Sequence, residues 1–185
     1  MARTDYIDPI ELGHILAALT PPNRLACEVS LATGLRIGDV LSLRTEALQG
    51  HDGRLTVLEA KTGKRRRIRL PAALLERMLR QAGRVYVWQG RHDWRKHRSR
   101  QAVYKDLRRA ARLYRVSATI TLAPHSIRKV WAVGQYRKSG DIARVQSLLQ
   151  HDREAVTMLY AMADQLTARK VGRRKDPDTS SIGCP

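Results

Sequence analysis

Apolar residues recur at helical spacing along most of the chain. Asp8 and Pro9 precede the first such segment, IELGHILAAL, and an aspartate followed by proline is typical of a capped helix start. The pair Pro21-Pro22 is expected to end this helix. The same spacing predicts further helices over 23–33, 36–44, 71–83, 101–115, 125–140, 142–150 and 153–170, with Gly34 closing the second and Ser99 and Asp141 capping two later ones.

The period changes to two in a short central segment. The runs RLTVLEA (54–60) and RIRL (67–70) read as strands, and Thr62-Gly63 between them as a hairpin turn. In the second run Ile68 and Leu70 share one face, while two arginines share the other. The predicted fold is therefore mainly α with a small antiparallel β-sheet, an α+β domain.

The segment between the fourth and fifth predicted helices shows no clear period. Residues 84–98 are basic with interleaved aromatics, which indicates a short apolar piece followed by a surface loop. Trp88 and Trp94 in this loop could contact nucleic acid or simply anchor the loop. The 185 residues are expected to form one domain over 1–170, followed by a polar tail over 171–185.

Charge narrows the function classes. Lys and Arg total 35 against 17 Asp and Glu, a net charge of +18. A compact domain this basic favours a polyanionic partner, and nucleic acid is the leading one. The sequence shows no signal peptide, no apolar run long enough to span a membrane and no disulfide framework from Cys27 and Cys184. A cytoplasmic protein is expected.

Four separated segments carry candidate chemistry. Arg36 lies in TGLRIGDVLSL and Lys61 in LEAKTGKRRRIRLP. His125 and Arg128 lie in PHSIRKVWA, and LLQHDREAVTMLY contains a further histidine and tyrosine at positions 151 and 160. Each motif alone is weak, since a lone His-x-x-Arg is usually a solvated helix face. Their order, spacing and predicted secondary structure are together specific.

This set resembles the Arg, Lys, His-x-x-Arg, His/Trp, Tyr constellation of the tyrosine recombinases, also called the phage integrase family. The resemblance covers roughly residues 8 to 165. It implies the catalytic-domain fold of that family and site-specific DNA breakage and rejoining through a 3′-phosphotyrosyl intermediate. It also implies that neither a cofactor nor a metal is needed, because the arginine pair acts as the electrophile.

The expected nucleophile is Tyr160. A tyrosine hydroxyl has a reference pKa of about 10, so it needs a base or nearby cations at neutral pH. His125 lies one helical turn from Arg128 and is the expected base. Arg36 and Arg128 can each donate a planar fork of N–H groups to phosphate oxygens.

The resemblance assigns three further roles. Lys61 matches the strand lysine that protonates the departing 5′ oxygen, although Lys64 across the turn could substitute. His151 matches the family's second His/Trp position, which hydrogen-bonds the phosphate, and Asp39 matches a supporting acidic residue. Expected DNA contacts outside the reacting centre are Lys64, Arg65, Arg67, Arg69, Arg95 and Lys96. A metal site at His92 and His97 is not expected, because no Cys and few acids lie nearby.

The sequence departs from the family pattern in three places. Only 35 residues precede Arg36, too few for the N-terminal domain that completes the usual clamp around DNA. The chain is therefore expected to be a fragment or a short single-domain member. Gln150 stands where the family usually has Gly before the second histidine, and Ala123-Pro124 replaces the usual Leu-Arg.

The expected partner is double-stranded DNA, with tetramers forming on two DNA sites and a monomer in their absence. The direction of recombination stays open among integration, excision, inversion and resolution. A type IB topoisomerase is a related alternative. From another class, a non-catalytic DNA-binding regulator or accessory protein on the same fold is the runner-up. A plain RNA-binding module is disfavoured, because no aromatic stacking motif or Gly-x-x-Gly clamp is present.

Overall fold

The computed structural model describes residues 6–49, 52–114 and 121–149. This part of the chain is mostly helical, with one hairpin inserted between the third and fourth α-helices. The elements are α1 (Pro9–Ala17), α2 (Pro21–Thr33), α3 (Ile37–Leu41), a 3-10 turn (Thr45–Leu48), β1 (Arg54–Leu58), β2 (Arg65–Arg69), α4 (Ala72–Gln81), α5 (Arg100–Leu113), α6 (Pro124–Ser139) and α7 (Ile142–Leu149).

The predicted helix starts are confirmed at three capping side chains. The Asp8 carboxylate accepts a hydrogen bond from the Ile10 amide (2.8 Å). The Ser99 hydroxyl accepts from the Ala102 amide (3.2 Å), and the Asp141 carboxylate accepts from the Arg144 amide (2.9 Å). These caps satisfy amide donors that have no partner inside the first helical turn.

The role predicted for Pro21-Pro22 is wrong in one respect. The two prolines are the first residues of α2 rather than a break between helices. Proline is tolerated there because the first-turn amides make no intrahelical bond and the ring fixes a helical φ.

Helix α2 lies at the centre of the fold. It packs against α1, α3, α4, α5 and α6, and Ala26, Cys27 and Val29 on it are fully buried. A helix that contacts neighbours on all sides needs apolar residues around most of its circumference. The position of α2 therefore determines where the segments before and after it lie.

A buried carboxylate fixes the N-terminal end of α2. Asp106 on α5 accepts hydrogen bonds from the Thr20 amide (2.9 Å) and hydroxyl (2.7 Å), from Asn23 (2.7 Å) and from Arg109 (2.8 Å). Burial raises the pKa of Asp106, but the hydrogen bonds from Asn23, Thr20 and Arg109 outweigh it and lower the pKa to about 2. The network joins α5 to the start of α2.

The hairpin is antiparallel, as predicted, with Leu55 opposite Ile68 and Thr56 opposite Arg67. Leu55, Val57 and Ile68 are buried. Arg67 and the other outward-facing residues of β1 and β2 are exposed. The hairpin therefore has one apolar face against the core and one cationic face toward solvent.

The aromatic residues of the loop between α4 and α5 separate into two environments. Trp88 is fully buried and its indole N–H donates to the Pro22 carbonyl (2.8 Å), so it anchors the loop rather than facing nucleic acid. Trp94 is 37% exposed, with the Arg84 guanidinium 4.4 Å and the Arg95 guanidinium 5.2 Å from its ring.

Among the residues described, no helix is both long enough and apolar enough to cross a bilayer.

Candidate active site

Arg36 is placed by the turn that ends α2. Gly34 adopts a left-handed conformation (φ 69°), which L-residues with a side chain rarely tolerate, and it caps the helix. A Cβ at Gly34 would also lie 2.5 Å from the Trp131 ring of α6. The chain thereby reverses tightly against α6, and Arg36 follows two residues later at the N-terminal end of α3.

The Arg36 guanidinium is held by a carboxylate that the sequence analysis did not single out. Its Nη1 atom donates to Glu59 Oε2 at 2.7 Å. The Glu59 side chain is fully buried, whereas the Arg36 side chain keeps 15% of its surface exposed. Leu55, Val57 and Glu59 alternate toward the core, so a charged residue that continues the inward face of β1 one residue beyond its end was the signal available in the sequence.

A second, largely buried arginine also contacts Glu59. Arg66 Nη1 lies 3.5 Å from Glu59 Oε1, and Arg66 Nη2 donates to the Thr33 carbonyl at 2.7 Å. Burial lowers the pKa of Arg66, and the Glu59 carboxylate opposes that shift. Arg66 thus differs from the arginines on either side of it in β2, because it points inward. Arg66 was not among the predicted site residues.

Asp39 lies within the same group of charges. It is 2% exposed, and its Oδ1 atom accepts from the Ala60 amide at 3.0 Å. Burial raises the pKa of Asp39; the Ala60 hydrogen bond lowers it, Glu59 raises it further, and Arg36 and Arg128 lower it. The carboxylate therefore ties the first turn of α3 to the segment that immediately precedes Lys61.

Lys61 lies in the hairpin turn and not at the end of a strand, because β1 ends three residues earlier at Leu58. The Gly63 amide donates to the Glu59 carbonyl (2.9 Å), and the Glu59 amide donates to the Lys64 carbonyl (2.9 Å). Gly63 has φ 64°, as the predicted turn requires. Lys61 and Lys64 are both exposed, so the structure leaves the choice between them as proton donor open.

Helix α6 contributes His125 and Arg128, one turn apart. His125 is half-buried in the first turn, next to Pro124, which is the first residue of the helix. Arg128 is 1% exposed, and its Nη2 atom donates to the Leu149 carbonyl at 2.6 Å. Arg128 therefore lies near Asp39 on one side and holds the last turn of α7 on the other.

A cluster of charged residues is formed by Arg36, Asp39, Glu59, Arg66 and Arg128; Asp39, Glu59 and Arg128 are buried, and the other two arginines are largely buried. It combines three guanidinium groups with two carboxylates, so it keeps an excess of positive charge. A phosphate diester brings one negative charge and two nonbridging oxygens that accept hydrogen bonds. The arrangement can therefore bind and polarise a phosphodiester, and preorganised donors of this kind stabilise charge that develops in the transition state.

The predicted positions 151 and 160 lie outside the described residues, so the second histidine and the tyrosine remain predictions. The residues predicted to contact DNA, in the hairpin and in the loop between α4 and α5, are all exposed. They are Lys64, Arg65, Arg67, Arg69, Arg95 and Lys96. Within the ranges that the structure describes, no group of three or more His, Cys, Asp or Glu is placed to bind a metal.

A family model described as the phage integrase family matches residues 5–166, and the chain belongs to this family. An integrase/recombinase of Escherichia coli is 26% identical over 198 residues, with 83% of this chain and 58% of the relative covered.

Two solved structures share the fold. The XerH site-specific recombinase, in a post-cleavage complex with palindromic difH, superposes with a TM-score of 0.70 at 17% identity, covering 92% of this chain and 53% of that chain. The lambda integrase catalytic core gives 0.65 at 23% identity, covering 80% and 92%. The predicted fold class is thereby confirmed. The chain spans about 58% of the length of the curated relatives it matches first.

Proposed function

We propose that this chain is the catalytic domain of a site-specific DNA recombinase of the tyrosine type. The observation that carries the proposal is the largely buried, net positive cluster formed by Arg36, Asp39, Glu59, Arg66 and Arg128 beside an exposed lysine turn. Family membership and the recombinase fold support the same conclusion.

In the proposed reaction, the Tyr160 hydroxyl attacks the scissile phosphate. The P–O bond to the 5′ oxygen breaks, a 3′-phosphotyrosyl link forms, and a free 5′ hydroxyl leaves. Arg36 and Arg128 neutralise the nonbridging oxygens, with His151 as a further donor. His125 accepts the tyrosine proton and Lys61 donates one to the leaving oxygen. A 5′ hydroxyl from a second DNA end reverses the step and restores the tyrosine.

The proposed substrate is double-stranded DNA, bound by the cationic face of the hairpin and by the loop with Arg95 and Lys96. We propose that the domain is monomeric without DNA and forms tetramers on two DNA sites. We also propose that residues 1–170 form the catalytic unit, with a polar tail over 171–185. Its action on DNA implies a cytoplasmic protein.

The experiment that tests the proposal is covalent trapping on nicked suicide duplexes drawn from a randomised pool. Loss of the short strand after cleavage prevents religation, so an active enzyme accumulates as a DNA adduct on a denaturing gel. We expect the wild-type chain to form the adduct in the presence of EDTA, and Tyr160→Phe to bind the same DNA without forming it. Tyr114→Phe, which changes an exposed tyrosine at the end of α5, is the matched control and should retain the adduct.

Two results would decide against the proposal. An adduct formed by Tyr160→Phe would mean that another residue is the nucleophile. Tight DNA binding by wild type without any adduct would instead favour the non-catalytic regulator on the same fold.

A further inference from the structure

Glu59 is a fully buried carboxylate that forms ion pairs with two arginines. Burial of an ionised carboxylate is strongly unfavourable unless it is paired and hydrogen-bonded. Glu59 has Arg36 at 2.7 Å on one oxygen and Arg66 at 3.5 Å on the other. The Thr62 hydroxyl lies 3.4 Å from the oxygen that faces Arg36. Glu59 therefore bridges two guanidinium groups from separate segments.

Arg66 fixes the other side of this bridge. Its guanidinium donates to the Thr33 carbonyl (2.7 Å) and to the Gly34 carbonyl (3.5 Å), which close α2 just before Arg36. It also lies over the Trp131 ring at 5.4 Å. Trp131 is on α6, the helix that carries Arg128. Arg66 thus joins β2, the end of α2 and α6 at one point.

The backbone of Glu59 holds the turn that presents Lys61. Its amide and carbonyl pair with Lys64 and with Gly63 across the turn, both at 2.9 Å. The same residue therefore sets the base of the lysine turn through its backbone and the Arg36 guanidinium through its side chain. A shift of Glu59 would move both groups together.

We propose that Glu59 and Arg66 are positioning residues for DNA cleavage, which orient the Arg36 guanidinium toward the scissile phosphate and fix it relative to the Lys61 turn. This inference rests on the proposed function. In this proposal the phosphate contacts come from Arg36 and Arg128, and Glu59 and Arg66 make none. Their effect on rate comes through the placement of Arg36, and a displacement of about 1 Å in a reacting geometry can cost about 10²-fold in rate.

The decisive variant is Glu59→Gln, which keeps the size of the side chain but removes its charge. Its amide N–H₂ group would face one of the two guanidinium groups and its oxygen carries no charge, so Arg36 loses its ionic partner. The matched control is Glu46→Gln, at an exposed glutamate of the 3-10 turn with a 73% exposed side chain. Single-turnover cleavage of the trapped substrate is measured at saturating DNA, together with the Kd for the same duplex and the fraction folded at the assay temperature.

We expect Glu59→Gln to cleave about 10- to 100-fold more slowly, with a Kd within about threefold of wild type, and Glu46→Gln to behave as wild type. Three results would overturn the proposal. The first is an unchanged rate. The second is a faster rate, which would make Glu59 a competitor of the phosphate for Arg36. The third is a loss that only follows the unfolded fraction, which would make Glu59 merely structural.

A double-mutant cycle tests whether Glu59 acts through Arg36. Arg36→Lys keeps a cation but loses the planar fork. If Glu59 orients Arg36, adding Glu59→Gln to Arg36→Lys should slow cleavage by less than about threefold, far less than it does in wild type. Fully multiplicative effects would contradict the proposal, because they would mean that the two residues act independently. Arg66→Lys should reproduce the defect of Glu59→Gln in the wild-type background.

An NMR measurement decides the placement of Arg36 without any cleavage. The Arg36 Nε–Hε signal is assigned by its absence in Arg36→Lys. We expect it to move or broaden in Glu59→Gln and to stay unchanged in Glu46→Gln. A signal unaffected by Glu59→Gln would overturn the inference. If wild type forms no DNA adduct, the proposed function fails, while this measurement still decides whether Glu59 orients Arg36.

Discussion

Asp39 is a buried carboxylate, and its burial affects how the stability of the protein depends on pH. Burial raises its pKa, so the folded protein favours the protonated form. Its stabilising contribution is therefore complete below the unfolded-state pKa of about 4 and is lost as pH rises through the folded-state pKa. The burial of Asp39 near Arg36 and Arg128 therefore lowers stability as the pH rises.

This gives a prediction for Asp39→Asn. The amide oxygen can still accept from the Ala60 amide, whereas the titratable carboxyl group near the two arginines is lost. We expect cleavage on the order of tenfold slower. We also expect a smaller fall in unfolding free energy between pH 4 and pH 8 than in wild type, measured by urea denaturation at both values. A steeper fall in the variant would contradict the sign of the pKa shift.

Single residues differed in how well the sequence identified them. Arg36 and Arg128 could be identified because a fixed motif surrounds each one. Glu59 and Arg66 carry no motif, and Arg66 sits in an arginine run that looks uniform. Only the alternation of the strand distinguishes Arg66, which faces inward, from Arg65 and its other neighbours. Which arginine is buried depends on what packs against the strand.

At the scale of elements, two helices end in the same way but in different surroundings. Gly34 caps α2 at φ 69° and Gly140 caps α6 at φ 67°. A Cβ on Gly34 would lie 2.5 Å from the Trp131 ring, whereas nothing lies within 4 Å of one on Gly140. The pair separates the cost of the backbone conformation from the cost of the contact.

We expect Gly140→Ala to lower the free energy of unfolding by about 1 kcal/mol, the usual cost of a left-handed L-residue. Gly34→Ala should cost about 1–3 kcal/mol more, because the new methyl group displaces Trp131. Chemical denaturation of both variants measures the difference. Equal losses would mean that α6 does not pack against the end of α2 as described.

The order of the elements was largely predictable because their signals are local. Caps at Asp8, Ser99 and Asp141 and the turn at Gly63 act within a few residues, and each was confirmed. The start of α2 was wrong because proline both breaks and begins helices. The end of β1 was also misjudged, so that Lys61 is in the turn. Boundaries depend on packing, which a local pattern does not contain.

At the scale of the whole molecule, the net charge is +18, and exposed arginines of the hairpin contribute to it. The outer face of the hairpin places Arg54 directly opposite Arg69, and like charges that face each other across strands are destabilising. In a protein that binds DNA, repulsion between these arginines lowers the stability of the free protein, and phosphate contacts relieve the repulsion in the complex. Folding and binding should therefore respond oppositely to its removal.

We expect Arg69→Gln to leave the unfolding free energy unchanged or raised, because the repulsion with Arg54 disappears. The slope of log K against log salt for DNA should become shallower by about 1, the loss of one phosphate contact. Arg80→Gln changes an exposed arginine of α4 (69% side-chain exposure) and should leave the slope unaltered. Salt titrations of a labelled duplex measure both, and an unaltered slope in Arg69→Gln would remove this face from the DNA interface.

The sequence by itself determined the family, the mainly helical fold with one hairpin, and the identity of Arg36, Lys61, His125 and Arg128 as candidates. These follow from local periodicity, from caps and from motif spacing, which are properties of neighbouring residues. Only the tertiary structure decided which charges become buried. Glu59 and Arg66 acquire their roles because α2, α6 and the hairpin converge, and a buried charge must find its partner wherever the fold places one.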